Sequence, residues 1–140
     1  MTPVVIGASV AVKWFLRDSD DERHATDALR WLRLSCSGDV RFLQPPHFTT
    51  EVAAVLSRLK PGSSAADIAE LFEMEFSILD NPDVYQEASR LSVQLQHRLF
   101  ETMYHAVALT NPGVRLITAD ERYYRKARHV GAIEALGDHP

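Results

Sequence analysis

One cysteine, Cys36, stands in the whole 140-residue chain, so no internal disulfide framework staples the fold and a reducing compartment suits it. Long apolar runs are missing too, since nothing approaches the ~20 residues of a membrane span. The amino terminus enters Pro3–Val4–Val5–Ile6 directly, without the basic region that opens a secretory signal. These absences predict a cytoplasmic protein with no membrane segment. Positive charge is also in deficit: 15 Lys and Arg against 19 Asp and Glu give a net charge of −4. That balance argues against a broad nucleic-acid-coating surface, which needs many cationic contacts to phosphates. Repeats, low-complexity stretches and linkers are absent. What is present, 46% hydrophobic and 24% charged residues, suits one globular domain over 1–140 that buries its own core.

Charge is unevenly distributed. From Ser64 to Glu87 there are seven acids and no Lys or Arg, whereas Val114 to Gly131 carries Arg115, Arg122, Arg125, Lys126 and Arg128 against Asp120 and Glu121. The acidic segment reads as solvated helix faces. In the basic segment, Arg122, Arg125 and Lys126 are candidates to hold a phosphate chain beside Asp120.

Hydrophobic periodicity alternates between strand and helix. Val4–Val5–Ile6 reads as a buried strand broken by Gly7, and Ala8–Leu16 as an apolar helix. After a polar loop at Arg17–Asp21, Ser19-x-x-Glu22 predicts the start of a helix to about Ser35. Val40–Leu43 is a second strand, Pro45–Pro46 opens a helix to about Lys60, and Ala65–Glu75 is helical. Phe76–Leu79 gives a third strand, followed by helices over Asp83–Arg98 and Glu101–Thr110. Asn111–Pro112–Gly113 turns the chain into a strand around Leu116–Ile117, then a helix over Asp120–His129 and an edge strand at Ala132–Leu136. Such alternation predicts an α/β fold with a central, mostly parallel sheet of four to five strands covered by helices, a three-layer α/β/α arrangement.

Asp120 follows the apolar run Leu116–Ile117 and so lies at a strand's carboxyl end, where ligands gather in open α/β sheets. Helix-start acids are common, however, and Thr118-x-x-Glu121 fits a capping box, so one Asp decides nothing alone. Two further acids occupy comparable positions: Glu51 in the helix after the second strand, and Glu101 opening a later helix. Clustered carboxylates are costly to ionise together unless a hard cation neutralises them, which implies Mg²⁺ or Mn²⁺. Such an ion activates water and steadies a phosphodiester oxygen.

These residues also carry a family resemblance. Val5–Ile6–Gly7–Ala8–Ser9–Val10–Ala11–Val12–Lys13–Trp14–Phe15–Leu16 resembles the amino-terminal signature of PIN-domain proteins of the VapC toxin type, which reads Asp-Ala-Ser-Val-Ala-Val-Lys-Trp-Phe. Gly7 stands where the family has its first aspartate. Pro46 through Glu51–Val52–Ala53–Ala54–Val55–Leu56 resembles the second motif, with Glu51 as its acid. Leu99 to Ala108 resembles the segment Tyr-Asp-Ala-x-Tyr-x-Ala-x-Ala, with Glu101 in place of Asp, and Leu116–Ile117–Thr118–Ala119–Asp120 resembles Leu-x-Thr-x-Asp.

The resemblance implies a metal-dependent endoribonuclease, commonly dimeric, and inhibited by a small antitoxin that places a basic side chain in the acidic site. It implies Glu51, Glu101 and Asp120 as catalytic and metal-binding residues, a lost ligand at Gly7, and activity impaired by that loss; Asp18, beyond the first helix, is no obvious substitute. Ser9 and Thr118 are candidates to contact substrate or water, and Ser9 is equally a candidate helix cap. Glu101 and His105, one turn apart, read more readily as a surface pair than as metal ligands. His24, His47, His97 and His139 show no ligand spacing, and Trp14, Trp31, Tyr123 and Tyr124 fit core or dimer contacts better than base stacking. Two readings compete with the nuclease: a degenerate, non-catalytic copy that keeps the dimer and an antitoxin or RNA surface, and a doubly wound signalling domain.

Overall fold

Five short runs form the sheet; the central ones are apolar on both faces and are buried between helical layers, while the edge runs are only half-buried. In a computed structural model that describes residues 1–16 and 22–138, the five runs are β1 (Thr2–Ile6), β2 (Val40–Gln44), β3 (Phe76–Ile78), β4 (Leu116–Thr118) and β5 (Ile133–Ala135). Their spatial order is β3-β2-β1-β4-β5, every pairing is parallel, and Val4 stands opposite Phe42 while Val5 stands opposite Leu116. The expected parallel α/β sheet is therefore present, with β5 at one edge.

The helices are α1 (Ala8–Ala11), α2 (Glu22–Cys36), α3 (Phe48–Leu59), α4 (Ser64–Glu73), α5 (Pro82–Leu95), α6 (Leu99–Leu109) and α7 (Glu121–Ala127). Several stop earlier than expected. The Ala8–Leu16 helix gives way after Ala11 to a 3-10 turn at Val12–Trp14, and the helix expected over Asp120–His129 gives way to a 3-10 turn at Arg128–Val130. Helix α5 stops three residues early because Gln96 adopts the left-handed conformation, φ 50°, which closes a helix end. The loop at Arg17–Asp21 with Asp18, the Ser19 cap and His139 lie outside the described residues.

An aromatic spine fills the core: Phe42 stacks on Trp14 at 5.7 Å and on Phe76 at 6.0 Å, and Phe48 meets Phe76 edge-on. The Trp14 indole N–H donates to the Ala28 carbonyl at 2.8 Å, tying α2 to the first helical segment. Trp14, Trp31 and Tyr123 are buried, as the core reading expects.

Two buried polar side chains were not legible as structural parts. Gln44, at the end of β2, accepts from the Ile6 N–H at 2.9 Å and donates to the Ile6 carbonyl at 2.8 Å. A side chain thus replaces a backbone ladder at the carboxyl end of β1, immediately before Gly7. His105 faces inward rather than forming a surface pair with Glu101. Its Nε2–H donates to the Gly131 carbonyl at 2.7 Å and its Nδ1 accepts from the Tyr123 hydroxyl at 2.8 Å, an assignment in which each group has a complementary partner.

Replacing Gln44 by Leu is expected to cost about 2–4 kcal/mol, because the N–H and C=O of buried Ile6 lose their partners together; urea unfolding reads this directly, and an unchanged midpoint would contradict it. Burial lowers the pKa of His105, opposed by the smaller effect of the Gly131 carbonyl. The unfolded chain therefore binds the proton more readily than the folded one. Stability is full above the unfolded value of about 6.5 and declines as pH falls from there toward the depressed native value, with a slope of at most ~1.4 kcal/mol per pH unit. Chemical denaturation at neutral and mildly acidic pH should show a shallower loss for His105→Gln than for the unaltered chain, and equal losses would assign no such role to His105.

Candidate active site

Three strand ends deliver the cleft. β1 runs into Gly7 and α1, β4 into Asp120 and α7, and β2 through a turn at Pro45–Pro46 into α3, whose first turn carries Glu51. Helix α6 packs on the sheet and brings in Glu101 from its own first turn. Gly7, Ser9, Glu51, Glu101, Thr118 and Asp120 line one cleft of about 210 Å³, with Tyr104 and Tyr123 among its walls. Residues 50 and 19 positions apart in the chain thus share one cavity at the carboxyl edge of the sheet, the place where parallel sheets expose their connecting loops.

Each carboxylate there already has a partner from the protein. The Tyr104 hydroxyl donates to Glu51 Oε1 at 2.5 Å. Burial first, then the Glu51 charge, pushes the Tyr104 pKa far up, so the phenol keeps its proton and remains a donor. Glu101 pairs with Arg98 at 2.6 Å. Asp120 caps α7, its Oδ1 accepting from the Tyr123 N–H at 3.0 Å. The capping box expected at Thr118 and Glu121 is not formed: Thr118 ends β4, its hydroxyl accepts from the Asp120 N–H at 3.0 Å, and the cap is Asp120 itself.

Ser9 does not cap its own helix. Its hydroxyl accepts from the Ala119 N–H at 3.1 Å, joining α1 to the loop after β4. Burial raises the Tyr123 pKa, and the charges of Glu101 and Asp120 raise it further; all three residues line the same cleft.

The basic residues stand apart from this group. Arg122, Arg125 and Lys126 are not among the residues that line the cleft. Arg122 and Arg125 are exposed, and Lys126 Nζ reaches the Gln96 carbonyl and His97 Nδ1, both at 3.2 Å. His97 has its pKa lowered by burial and by Lys126, against the opposite pull of Glu101 and Asp120. Of the three basic residues, Lys126 is thus turned toward the segment that follows α5.

A metal ion asks more of the donors than a shared cavity. Their chemistry suits a hard cation, since all are carboxylate oxygens. Their arrangement does not: among the described residues no three His, Cys, Asp or Glu side chains stand close enough to hold one ion. Gly7 supplies no donor, and the three acids are each drawn to a different partner. Tyr104 and Arg98 are the residues that sequence reasoning passed over, although each lies three positions from Glu101, a spacing that puts side chains on one helical face.

Comparison with known proteins agrees with the architecture. The VapBC2 structure from Rickettsia felis, solved with a DNA fragment from its promoter, superposes with a TM-score of 0.67 at 13% identity, covering 96% of this chain and 98% of that one. VapBC-1 from nontypeable Haemophilus influenzae gives 0.64 at 13% identity over 96% and 98% of the two chains. A protein from Pyrobaculum aerophilum gives 0.64 at 17% identity over 96% and 90%. No curated protein matches the chain in sequence. At such identities the likeness concerns the fold, and the doubly wound signalling alternative falls away on a sequence match of its own: residues 4–129 fit the description "PIN domain", and the chain belongs to the PIN-domain family.

Proposed function

We propose that this single PIN domain, residues 1–140, is a VapC-like ribonuclease, the toxin component of a toxin–antitoxin pair, whose Mg²⁺- or Mn²⁺-dependent hydrolysis of RNA is impaired by Gly7. The observation that carries this reading is the shared cleft of Glu51, Glu101 and Asp120, with Gly7 at its wall. Two structural neighbours bear the VapBC name, which supports a small antitoxin as partner. Cytoplasmic residence fits the want of disulfides, and no helix among the described residues is long and apolar enough to cross a membrane. Arg122, Arg125 and Lys126 are the proposed phosphate contacts, reached by RNA that lies across the rim rather than within the cleft.

A second reading is favoured by a specific observation. Because Tyr104, Arg98 and the Tyr123 amide satisfy the three acids without a metal ion, the chain also fits a non-catalytic module that retains a dimer and a surface for antitoxin or RNA. Position 7 separates the two. Its backbone, φ −63° and ψ 150°, admits any residue. A Cβ there would lie 3.3 Å from the Ser9 hydroxyl and 3.4 Å from the Ile117 carbonyl, so the Ser9 hydroxyl must yield by a few tenths of an ångström.

Gly7→Asp is therefore expected to fold, aspartate being a good residue to precede a helix. Under the nuclease reading it gains a melting shift with Mn²⁺, about 2.7 kcal/mol at a hundredfold excess over Kd, together with RNA cleavage. Adding Asp120→Asn should abolish cleavage while leaving the fold intact, because Asn caps helices as well as Asp. A Gly7→Asp protein with neither metal response nor cleavage would establish the non-catalytic reading. Both readings include a homodimer, supported by exposed Leu59 on α3 and Phe72 on α4. Sedimentation equilibrium at micromolar concentration should return twice the chain mass, and a monomer throughout would contradict it.

A further inference from the structure

Arg98 immediately precedes α6 and Glu101 lies in that helix's first turn. The guanidinium grips the carboxylate with two arms, Nη2 to Oε1 at 2.6 Å and Nε to Oε2 at 3.3 Å. This fork-to-fork geometry is the one that arginine makes best. Glu101 is not a bystander on a helix face, since it lines the cleft with Glu51 and Asp120. Arg98's proton is held more firmly by Glu101 above all, and by the Glu51 charge as well, although Glu51 belongs to a different helix. One cation thus answers one of the three cleft acids directly.

We propose that Arg98 is the cleft's own counter-cation: it occupies Glu101, competes with a divalent ion for that carboxylate, and so limits metal loading from within the chain. The inference rests on the nuclease reading of the cleft and adds a restraint independent of Gly7. Three carboxylates with one arginine leave two net negative charges for an incoming ion, and the missing acid at position 7 leaves the arginine unopposed by a fourth. The Arg98 side chain is 76% exposed, so the pair forms largely in water, where such contacts are weak and salt-screened. Once position 7 carries an aspartate, a divalent ion in sufficient concentration displaces it, which makes Arg98 a threshold rather than a lock.

The chain contains its own control. Arg90 and Glu87 make an i, i+3 pair of the opposite order on α5, and neither residue lines the cleft. Arg98 makes no side-chain cap on α6, so its replacement leaves that helix start as it is.

The experiment is a calorimetric titration with Mn²⁺ of Gly7→Asp proteins carrying Arg, Gln or Lys at position 98, with Arg90→Gln in the same background and the unaltered chain alongside. Arg98→Gln is expected to tighten Mn²⁺ binding by roughly two- to fivefold, the size of one exposed ion pair. Arg98→Lys, which keeps the charge, should retain most of the competition, Arg90→Gln should change nothing, and added salt should narrow the gain. An Arg98→Gln affinity no better than that of Arg90→Gln overturns the proposal while leaving the nuclease reading in place. A Gly7→Asp protein that binds no Mn²⁺ with any residue at position 98 overturns both.

Discussion

Three carboxylates brought to the carboxyl edge of one parallel sheet repel one another, and each needs a proton donor or a cation before the fold can hold it there. The topology leaves no way around this, because β1, β2 and β4 are adjacent and their following segments open onto the same side. This chain meets the demand locally. A phenol answers Glu51, a guanidinium answers Glu101, and a backbone amide answers Asp120. Gly7 reduces the demand by withholding a fourth charge. The cleft is stable as an acidic cavity for the same reason that it is poorly prepared for a metal: its acids point toward protein partners rather than toward a common centre.

Those partners are themselves held. Tyr123 gives its amide to Asp120 and its hydroxyl to His105, and His105 passes the constraint on to the carbonyl of Gly131. Gln44 fixes the Ile6 backbone one residue before Gly7, so the position where an acid is missing is also one where the chain is pinned on both sides of the sheet. Ser9, by accepting from Ala119, joins α1 to the loop after β4. The cavity's floor is therefore held by buried hydrogen bonds, whereas Arg98 beside it makes its contact in solvent.

How much of this was legible follows from the range of each interaction. The strands and the order of helices were visible because burial on two faces forces apolar runs, and periodicity records that directly. Glu51, Glu101 and Asp120 could be singled out because each sits at a strand end or helix start. Their joint presence at one cavity is a property of topology that the local pattern only suggests. Gln44 and His105 were not legible, since a polar residue beside an apolar run looks the same whether it faces water or replaces a ladder bond. The shortened helices after Ala11 and Ala127 end in 3-10 turns that carry no proline or glycine signal of their own. Arg98 had a readable spacing to Glu101, but an i, i+3 pair is so common that its place in the cleft had to come from the fold.

In the unaltered chain the protein, and not a metal, satisfies the three cleft acids. Anomalous diffraction from crystals soaked in millimolar Mn²⁺ tests this most directly. No anomalous peak is expected among Glu51, Glu101 and Asp120, with Tyr104, Arg98 and the Tyr123 amide still on their carboxylates. A fully occupied Mn²⁺ held by all three acids, with those partners released, would contradict it.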